Sequence, residues 1–358
     1  MSEEFVRRVI SRYYKQAEFD IKSIAQREFG VGSTKKIDAR HLSFATTDEL
    51  KNFLVANAPL FVSHSAAYYR YPAAVPMEKK ERIAADLIFD LDLHTEGKYD
   101  VYAKLGVMKE EVIKLIEDFL IADFGLSKKD ILTAFSGNRG YHIHVRNDDF
   151  ATLGSDERRE IMNYVRGEGL NIKQFFEWKE TSGRQKQLIG PTPFDGGYRG
   201  RLAALVLKEP MKISRIFADQ RRKEHFVEEI KHGNWSGVTL RLDELLERVE
   251  KLKYELIIRA VNADPAVTYD LSKLIRVPNS IHGETGFVAK IVNDINSFEP
   301  LRHAVINGPE VGVLFREAVP SIEMLGETIG PFVAKQRAEL PLGAAMFFLL
   351  KKSAELIS

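Results

Sequence analysis

The sequence predicts an α/β fold of the α+β type, in which mixed β-sheets are flanked by helices and carry an inserted small helical subdomain. Three observations predict it. Residues 87–93 alternate apolar and acidic side chains with the period of a strand, and residues 109–123 then repeat apolar side chains with the period of a helix. Two short apolar runs, 131–135 and 141–145, flank a glycine-containing turn, which indicates a hairpin.

The other elements follow from the same periodicities. Residues 3–17 form a predicted first helix, and a polar turn then precedes a strand over 37–44. Residues 241–252 carry a leucine-rich stripe typical of a core-facing helix, and residues 287–292 read as a later strand. The apolar run within 343–357 predicts a C-terminal helix.

The length of the chain and a change in its composition along the sequence indicate two compact units. With 358 residues, of which 44% are hydrophobic, the chain can build a sizeable core. We predict a discontinuous core from residues 1–166 and 238–325, a helical insert over the short charged segments of 167–237, and a helical tail over 326–358 that packs on the core. Packing of that tail against a partner is the alternative.

Composition excludes several classes of site. The chain has no cysteine, so disulfides, thiolate zinc sites, iron–sulfur clusters and cysteine nucleophiles are excluded. Oxygen and imidazole remain as metal ligands, which favours Mg²⁺ or Mn²⁺. The 52 basic residues nearly balance the 51 acidic ones, so the chain has no overall positive charge that would attract nucleic acid. Any binding of nucleic acid would need a local basic patch on the surface. No apolar run has the length of a membrane span, and we expect a cytoplasmic protein.

Two carboxylates are placed together by the strand at 87–93. Successive side chains of a strand point to opposite faces, so Asp90 and Asp92 share one face while Leu87, Phe89 and Leu91 share the other. Carboxylates held this close repel each other unless a proton or a cation neutralises them. The functional interpretation is a divalent metal site, and the alternative is a solvated polar face without metal.

The hairpin supplies groups suited to phosphate. Ser136, the amides of the turn and Arg139 are donors that can converge on a triphosphate. On the following strand His142 and His144 share a face and could bind metal. The alternative is an ordinary tight turn with partly exposed histidines.

A third segment, 264–283, adds carboxylates at Asp264 and Asp270, together with Arg276 and His282. Alone it would read as a surface loop. Combined with the other two segments it completes the inventory of two-metal nucleotidyl transfer.

The three segments resemble the signature motifs of archaeo-eukaryotic primases, in the same order. They are Asp90-Leu91-Asp92, Ser136-Gly137-Asn138-Arg139-Gly140-Tyr141-His142, and Leu274-Ile275-Arg276-Val277-Pro278-Asn279-Ser280-Ile281-His282-Gly283. Arg27-Glu28-Phe29-Gly30, Arg40-His41-Leu42-Ser43-Phe44 and Tyr68-Tyr69 resemble the small catalytic subunit of archaeal DNA primase in particular. The resemblance covers roughly residues 12–150 and 260–290.

The resemblance implies a role for each matching residue. Asp90 and Asp92 would bind both metals with a third aspartate eighteen positions before His282, which is Asp264, with Asp270 as the alternative. The incoming triphosphate would be contacted by Ser136, Arg139, His142, Arg276 and His282. Glu28 and Arg40 match positions near the initiating nucleotide.

As a whole, the resemblance implies a primase-type fold and the catalytic subunit of a DNA primase. Such an enzyme is a nucleotidyltransferase that uses nucleoside triphosphates and Mg²⁺ or Mn²⁺ to make short primers on single-stranded DNA during replication. It also implies a heterodimer with a large, iron–sulfur subunit and no membrane association. Template contacts are expected from four basic residues of the insert, namely Lys212, Arg215, Arg221 and Arg222; a solvated helical surface is their alternative reading.

Two departures and three alternatives qualify the resemblance. Without cysteine the zinc knuckle of many archaeal small subunits is missing, so we expect no structural zinc, and Asn138 stands where eukaryotic relatives often have arginine. The alternatives are a repair primase-polymerase of the same superfamily, a non-catalytic nucleic-acid-binding module, and a mononuclear iron enzyme using His142 and His144.

Overall fold

The computed structural model describes residues 2–180, 186–238, 240–258 and 266–357. Within the last range, the side chains are described from residue 268 onward. The helices are α1 Ser2–Gln16, α2 Thr47–Asn57, α3 Asp100–Ala103, α4 Leu105–Lys114, α5 Asp148–Ala151, α6 Ser155–Val165, α7 Gly197–Lys208, α8 Gln220–Lys231, α9 Leu242–Leu256, α10 Ala266–Tyr269, α11 Pro300–His303 and α12 Leu342–Leu350. The strands are β1 Phe29–Gly32, β2 Ala39–Leu42, β3 Phe61–Ser65, β4 Ala67–Tyr69, β5 Arg82–Ala85, β6 Leu87–Asp92, β7 Ile131–Phe135, β8 Gly140–Val145, β9 Glu177–Glu180, β10 Lys186–Ile189, β11 Leu274–Arg276, β12 Glu310–Phe315, β13 Ile322–Met324, β14 Glu327–Ile329, β15 Arg337–Pro341 and β16 Ala354–Leu356.

The α/β fold predicted from the sequence is confirmed, with small sheets flanked by helices. Within the described ranges the strand pairs are all antiparallel, so the sheets are not of the mixed type that was expected. None of the helices in those ranges is both long and apolar enough to span a bilayer.

The chain divides into two compact units. The first comprises residues 1–112, 127–159 and 260–358, and the second comprises 113–126 and 160–259. The boundaries proposed from the sequence stay predictions; both divisions place 167–237 outside the unit that contains the acidic strand.

The first unit contains the two sheets that matter for the site. One has the strand order β11-β3-β1-β2, and the other has the order β6-β8-β7. In the second sheet Asp90 pairs with His142, and Asp92 pairs with Gly140. Because directly opposed residues of an antiparallel pair share a face, His142 and the two carboxylates lie on the same side of this sheet.

The opposite face of strand β6 is fully buried. Leu87, Phe89 and Leu91 have no exposed surface, as the alternating pattern predicts. Their burial fixes the register, because a slip of one residue would carry the carboxylates into the apolar core.

The two sheets meet through residues on the carboxylate side of β6. Ile88 packs with Ala66 and Ile275, which come from the β3 and β11 region of the four-stranded sheet. His64 of β3 stacks on His144 of β8 with ring centroids 6.0 Å apart, and both imidazoles are buried. The two sheets therefore pack tightly at Ile88 and His144. Asp90 and Asp92 lie further along strand β6, where their side chains remain partly exposed to solvent.

A large apolar cluster packs on the four-stranded sheet and includes Phe29 and Val62 of its strands. Helices α1 and α2 contribute Ile10, Tyr14, Leu50 and Leu54, all without exposed surface. Met346 of α12 joins the same cluster, so the C-terminal helix packs on the body of its own chain.

Two elements differ from the sequence analysis. The helix predicted within 343–357 ends at Leu350, because Lys352 adopts φ 59° and the chain continues as strand β16. Residues 287–292 form isolated bridges instead of a regular strand, with Ile291 opposite Ala134 at the edge of β7 and Val288 opposite Ile281. Alternation predicts an extended backbone but not whether a neighbouring strand continues the ladder.

The second unit packs helices α7 to α9 around aromatic side chains. Phe217 and Phe226 stack at 4.1 Å, and Trp235 is buried edge-on against Phe176. Lys212, one of the expected template contacts, pairs with Glu209 and Glu255, whereas Arg215, Arg221 and Arg222 are exposed.

The stacked histidines predict acid-sensitive stability. Burial lowers the pKa of His64 to about 3 and lowers that of His144 well below 6.5, and neither ring nitrogen of His144 has a hydrogen-bond partner. The unfolded chain therefore binds more protons below pH 6.5, and stability present above that pH is lost as pH falls toward the folded pKa values. Each histidine should cost roughly 1.4 kcal/mol of unfolding free energy per pH unit in this window.

We expect His144→Phe to reduce this acid loss, as measured by Tm between pH 7 and pH 4. His232→Phe, at a surface position with 77% of its side chain exposed, is the matched control. An unchanged pH slope in the His144 variant would contradict the assignment.

Candidate active site

Asp90 and Asp92 form the acidic centre of the first unit. Their side chains are 22% and 20% exposed, so a cation can reach both from solvent. Burial, and then the neighbouring charge of Asp90, raise the pKa of Asp92, and the nearby Arg139 and His142 only partly offset this. Both burial and the second carboxylate disfavour the ionised form of Asp92, and a bound cation would offset both effects.

Arg139 is the direct partner of Asp92. Its Nη2 donates to Asp92 Oδ2 at 2.6 Å, while its Nε is buried without a hydrogen-bond partner. The hairpin positions Arg139 just before the start of strand β8, opposite the end of β6. The Arg139 guanidinium thus binds the Asp92 carboxylate through Nη2, while its Nε–H remains an unused hydrogen-bond donor.

His142 stands opposite Asp90, with Nε2 3.6 Å from Asp90 Oδ1. Burial lowers the pKa of His142 to about 4, and the positive charge of Arg276 adds to this effect. The imidazole is therefore neutral at neutral pH and can donate a hydrogen bond without adding charge.

The turn between β7 and β8 is organised by Ser136. Its Oγ accepts hydrogen bonds from the amides of Asn138 and Gly140 at 3.4 and 3.2 Å. These amides were expected to point at a phosphate, and instead they are satisfied within the turn. The hydroxyl proton of Ser136 remains available to donate, because an oxygen that accepts two bonds still carries one donor.

Gly137 allows this turn to lie against the third segment. Its φ is 81°, and a Cβ at this position would lie 2.8 Å from Cβ of His282. Thr285 Oγ1 donates to the Gly137 carbonyl at 2.6 Å, which fastens the two segments together. Glycine is required both by the left-handed backbone and by this close approach.

Replacement of Gly137 by alanine should lower the unfolding free energy by about 1–3 kcal/mol, through strain and displacement of His282. Thermal unfolding measures the effect. Gly125→Ala is the matched control, since its φ is 70° but a Cβ there meets no atom within 4 Å. Equal losses in both variants would show that the contact with His282 contributes nothing.

Arg276 of strand β11 brings a second guanidinium to the site. Burial lowers its pKa to about 10, so it remains protonated at neutral pH, and its Nη1 is buried without a hydrogen-bond partner. Its guanidinium lies over the Phe61 ring, 5.5 Å from the centroid. Asp90 and His142 are both close enough for their electrostatics to be linked with this arginine.

His282 completes the group. It is buried, and its ring packs edge-on against Phe61. Its Nδ1 accepts a hydrogen bond from the Glu284 amide at 3.2 Å, and burial keeps its pKa well below 6.5. The proton of the neutral ring is therefore on Nε2, which is a donor.

The third carboxylate stays a prediction, because Asp264 lies outside the described residues. The segment that follows returns to the acidic strand, since Thr268 Oγ1 donates to the Ile88 carbonyl at 2.7 Å. Asp270 accepts hydrogen bonds from the amide and hydroxyl of Ser272, which is the role of a turn residue. This assignment of Asp270 to a turn makes it the weaker of the two candidates.

Glu28 and Arg40 belong to a second polar group. Arg40 Nε donates to Glu28 Oε1 at 2.7 Å, and His41 Nδ1 lies 3.1 Å from the same oxygen. Lys80, also buried, lies 3.6 Å from Glu28 Oε2, which has no hydrogen-bond partner. Glu28 and Arg40, both predicted from the sequence, therefore pair with each other. The Glu28 carboxylate is surrounded by the basic side chains of Arg40, His41 and Lys80.

Several neighbours of the site were missed by the sequence analysis. Lys351, just after helix α12, is half-buried, and its electrostatics are linked with those of Arg139 and Glu284. Asn138 accepts from the Tyr102 hydroxyl at 3.1 Å and donates to Glu284 at 3.5 Å. Lys351 follows an apolar helix far along the chain, and no local pattern connects it with the turn.

The alternative of a mononuclear iron site is not favoured by this geometry. His144 shares a face with His142 as predicted, but it has no exposed surface and stacks on His64 between the sheets. A metal with an open position for oxygen needs access that this ring lacks.

Donor chemistry at the site fits a hard divalent cation. Carboxylate oxygens of Asp90 and Asp92, undercompensated and partly exposed, are the ligands that Mg²⁺ and Mn²⁺ prefer. In the part of the chain that the structure describes, no group of three or more acidic or histidine side chains is arranged around one point for a metal.

Comparison with known proteins identifies the family. The model of the DNA primase small subunit family matches residues 89–294, a stretch that contains all three motifs. The chain belongs to the DNA primase small subunit family. It is 31% identical to the DNA primase small subunit of Methanococcoides burtonii over 98% of this chain and 97% of that protein. It is 34% identical to that of Methanocella arvoryzae, covering 98% of both chains. Its identity to that of Thermoplasma volcanium is 32% over 85% of this chain and 83% of the relative.

Proposed function

We propose that this chain, a DNA primase small subunit, synthesises short primers on single-stranded DNA from nucleoside triphosphates by two-metal nucleotidyl transfer. The observation that supports this most directly is the arrangement on one face of the sheet β6-β8-β7. Two carboxylates there lie beside two guanidinium groups that each keep an unused buried donor. A site that combines cation ligands with phosphate donors suits phosphoryl transfer.

Asp90 and Asp92, with Asp264, would hold Mg²⁺ or Mn²⁺. When bound, the two cations lower the pKa of a primer 3′-hydroxyl and stabilise charge on the transferred phosphoryl group and its leaving group. The protein contributes ligands fixed on a strand whose other face is fully buried. We propose no structural zinc.

The chain's own donors would bind the triphosphate. Arg139 and Arg276 offer positive charge, and their unpartnered Nε and Nη1 atoms would find acceptors in phosphate oxygens. Ser136 Oγ and the Nε2 atoms of His142 and His282 would add neutral donors. By analogy with a single oxyanion-hole donor, each arginine aimed at the charge that develops in the transition state would lower the activation free energy by about 3 kcal/mol.

Two further groups of residues would contact the initiating nucleotide and the template. Glu28 and Arg40 would act near the initiating nucleotide, in the group that also contains Lys80. Exposed Arg215, Arg221 and Arg222 of the second unit, with Lys212, would contact the template, whose affinity should then fall with salt. As in the family, a large iron–sulfur subunit would complete a heterodimer.

De novo synthesis on single-stranded DNA tests the proposal. Labelled nucleoside triphosphates are supplied with Mg²⁺ or Mn²⁺ to wild type and to an Asp90→Ala, Asp92→Ala double variant. Metal-dependent products that disappear in the double variant are expected. The matched control is Asp148→Ala, which removes a carboxylate that is 97% exposed. Full activity in the double variant would refute the metal assignment, and extension of gapped duplexes without de novo products would favour a repair polymerase.

A further inference from the structure

The C-terminal helix α12 packs directly on the third segment of the site. Phe347 stacks on Phe287 with ring centroids 5.1 Å apart and an angle of 5° between the rings. A Cβ added to Gly286, whose φ is 75°, would lie 3.2 Å from Cβ of Met346. The helix is therefore held against the chain just after His282, and this contact fixes the position of its last residues relative to the site.

Lys351 follows the last turn of this helix and faces the turn between β7 and β8. It comes four residues after Phe347, so the two side chains share one face of the helix. The Lys351 Nζ atom lies 5.3 Å from the centroid of the Tyr102 ring and 5.8 Å from that of Phe347. Because the Tyr102 hydroxyl donates to Asn138 Oδ1 at 3.1 Å, the ammonium lies beside the turn that carries Arg139.

This ammonium lacks a counter-ion. Lys351 is half-buried, and in the part of the chain that the structure describes its Nζ atom makes no hydrogen bond and no ion pair. Lys98, by contrast, pairs with Glu317 at 2.5 Å. Burial lowers the pKa of Lys351, the charge of Glu284 opposes this effect, and the positive charges of Lys98 and Arg139 add to it. The faces of aromatic rings compensate such a cation only in part, so an anion would stabilise it.

Lys351 and Arg139 reach the turn through different neighbours. Arg139 donates to Asp92 on the acidic strand, whereas Lys351 lies over Tyr102, which holds Asn138 in the turn. In two-metal transfer the cations act at the phosphate that is transferred, beside the carboxylates. A cation on the Asn138 side of the turn would therefore meet the outer phosphates of the same nucleotide.

We propose that Lys351 binds the outer phosphates of the incoming nucleoside triphosphate, as a third cationic donor beside Arg139 and Arg276. This inference rests on the proposed function, because it requires a triphosphate at this turn. An ammonium carries three donors on a flexible stem, and phosphate oxygens would supply both the negative charge and the acceptors that it lacks. Helix α12 would then contribute to the nucleotide site as well as to the core.

A purely structural role for Lys351 makes different predictions. Its positive charge at the end of a helix interacts favourably with the helix dipole, and Glu284 is the carboxylate whose charge acts on it. In that role the side chain would contribute to the stability of the free protein and not to the affinity for nucleotide. Measurements of Tm and of nucleotide affinity on the same variants separate the two roles.

Nucleotide binding to the full chain, with Mg²⁺ and without template, tests the proposal. Calorimetry measures ATP, and ligand-observed NMR measures AMP, which lacks the outer phosphates. Lys351→Gln removes the charge and Lys351→Arg keeps it. Lys352→Gln is the matched control, because Lys352 is the next residue and is exposed. Arg276→Gln reports on the nucleotide site itself, and thermal unfolding without nucleotide reports on the fold of each variant.

We expect Lys351→Gln to bind ATP about tenfold more weakly than wild type and to bind AMP equally well. Lys351→Arg and Lys352→Gln should bind both nucleotides as wild type does. Unchanged ATP affinity in Lys351→Gln, with a loss in Arg276→Gln, would overturn the assignment of Lys351 and leave the proposed nucleotide site intact. A lower Tm of Lys351→Gln with unchanged ATP affinity would likewise overturn it in favour of the structural role.

The comparison between the two nucleotides provides a second check. Equal losses of ATP and AMP affinity in Lys351→Gln would show that the substitution disturbs the whole site, and the assignment to the outer phosphates would be wrong. If wild type does not bind ATP, or if Arg276→Gln binds it as tightly as wild type, the proposed nucleotide site itself is refuted, and the role of Lys351 is refuted with it.

Discussion

Replacing Asp92 by asparagine should abolish primer synthesis while raising the Tm of the metal-free protein. Burial and the charge of Asp90 raise the pKa of the Asp92 carboxyl, so ionising it costs more free energy in the folded chain than in the unfolded chain. Because the folded pKa lies above the unfolded one, stability is lost as pH rises from the unfolded value, and the loss is complete once pH has passed the folded value. Asparagine removes the charge and keeps an acceptor for Arg139 Nη2.

The same change removes a proposed metal ligand, and a metal contributes several kcal/mol of charge stabilisation in such a transition state. A loss of about a thousandfold or more in primer synthesis is therefore expected. Thermal unfolding in EDTA and a primer assay measure the two effects. Asp156→Asn, at an 88% exposed carboxylate paired with Arg159, should change neither. A destabilised Asp92 variant would show that its ion pair outweighs the repulsion.

Replacing Arg139 by glutamine should have opposite effects on the two ligands. In the structure Arg139 holds Asp92 at 2.6 Å, so it competes with any cation for that carboxylate. Without this guanidinium, Mn²⁺ should bind more tightly in the absence of nucleotide. Nucleoside triphosphate should bind more weakly, because a donor to phosphate is lost. A charged hydrogen bond of about 1.5–3 kcal/mol corresponds to roughly a ten- to hundredfold change in each direction.

Mn²⁺ titration followed by electron paramagnetic resonance, with and without nucleotide, separates these effects without a turnover assay. Arg139→Lys keeps the charge and should retain most of the competition. Arg159→Gln breaks a comparable arginine–aspartate contact of 2.9 Å at the surface and should leave Mn²⁺ affinity unchanged. If Arg139→Gln binds Mn²⁺ with the same affinity as wild type, the Arg139 guanidinium does not compete with the cation for Asp92.

Local patterns in the sequence determined the parts of the site that lie on single elements. The alternation around Asp90 and Asp92 placed both carboxylates on one face, and the structure has them there with Leu87, Phe89 and Leu91 buried behind. A period-two pattern has only two faces to choose from, so burial of one decides the other. The glycine turn before His142 was recognisable for the same reason, since its chemistry depends on neighbours in sequence.

Relations between distant segments were decided by tertiary structure. No pattern in the sequence pairs Arg139 with Asp92, turns the amides of the glycine loop onto Ser136, or brings Lys351 near Glu284. Nor does it show that His144 stacks on His64 while His142, two residues away, faces Asp90. Such contacts depend on how sheets pack, and packing is set by the whole core instead of by any local segment. The sequence by itself therefore determined which candidate residues share a strand face or a turn, because those relations are local, and the tertiary structure decided which candidates from distant segments touch.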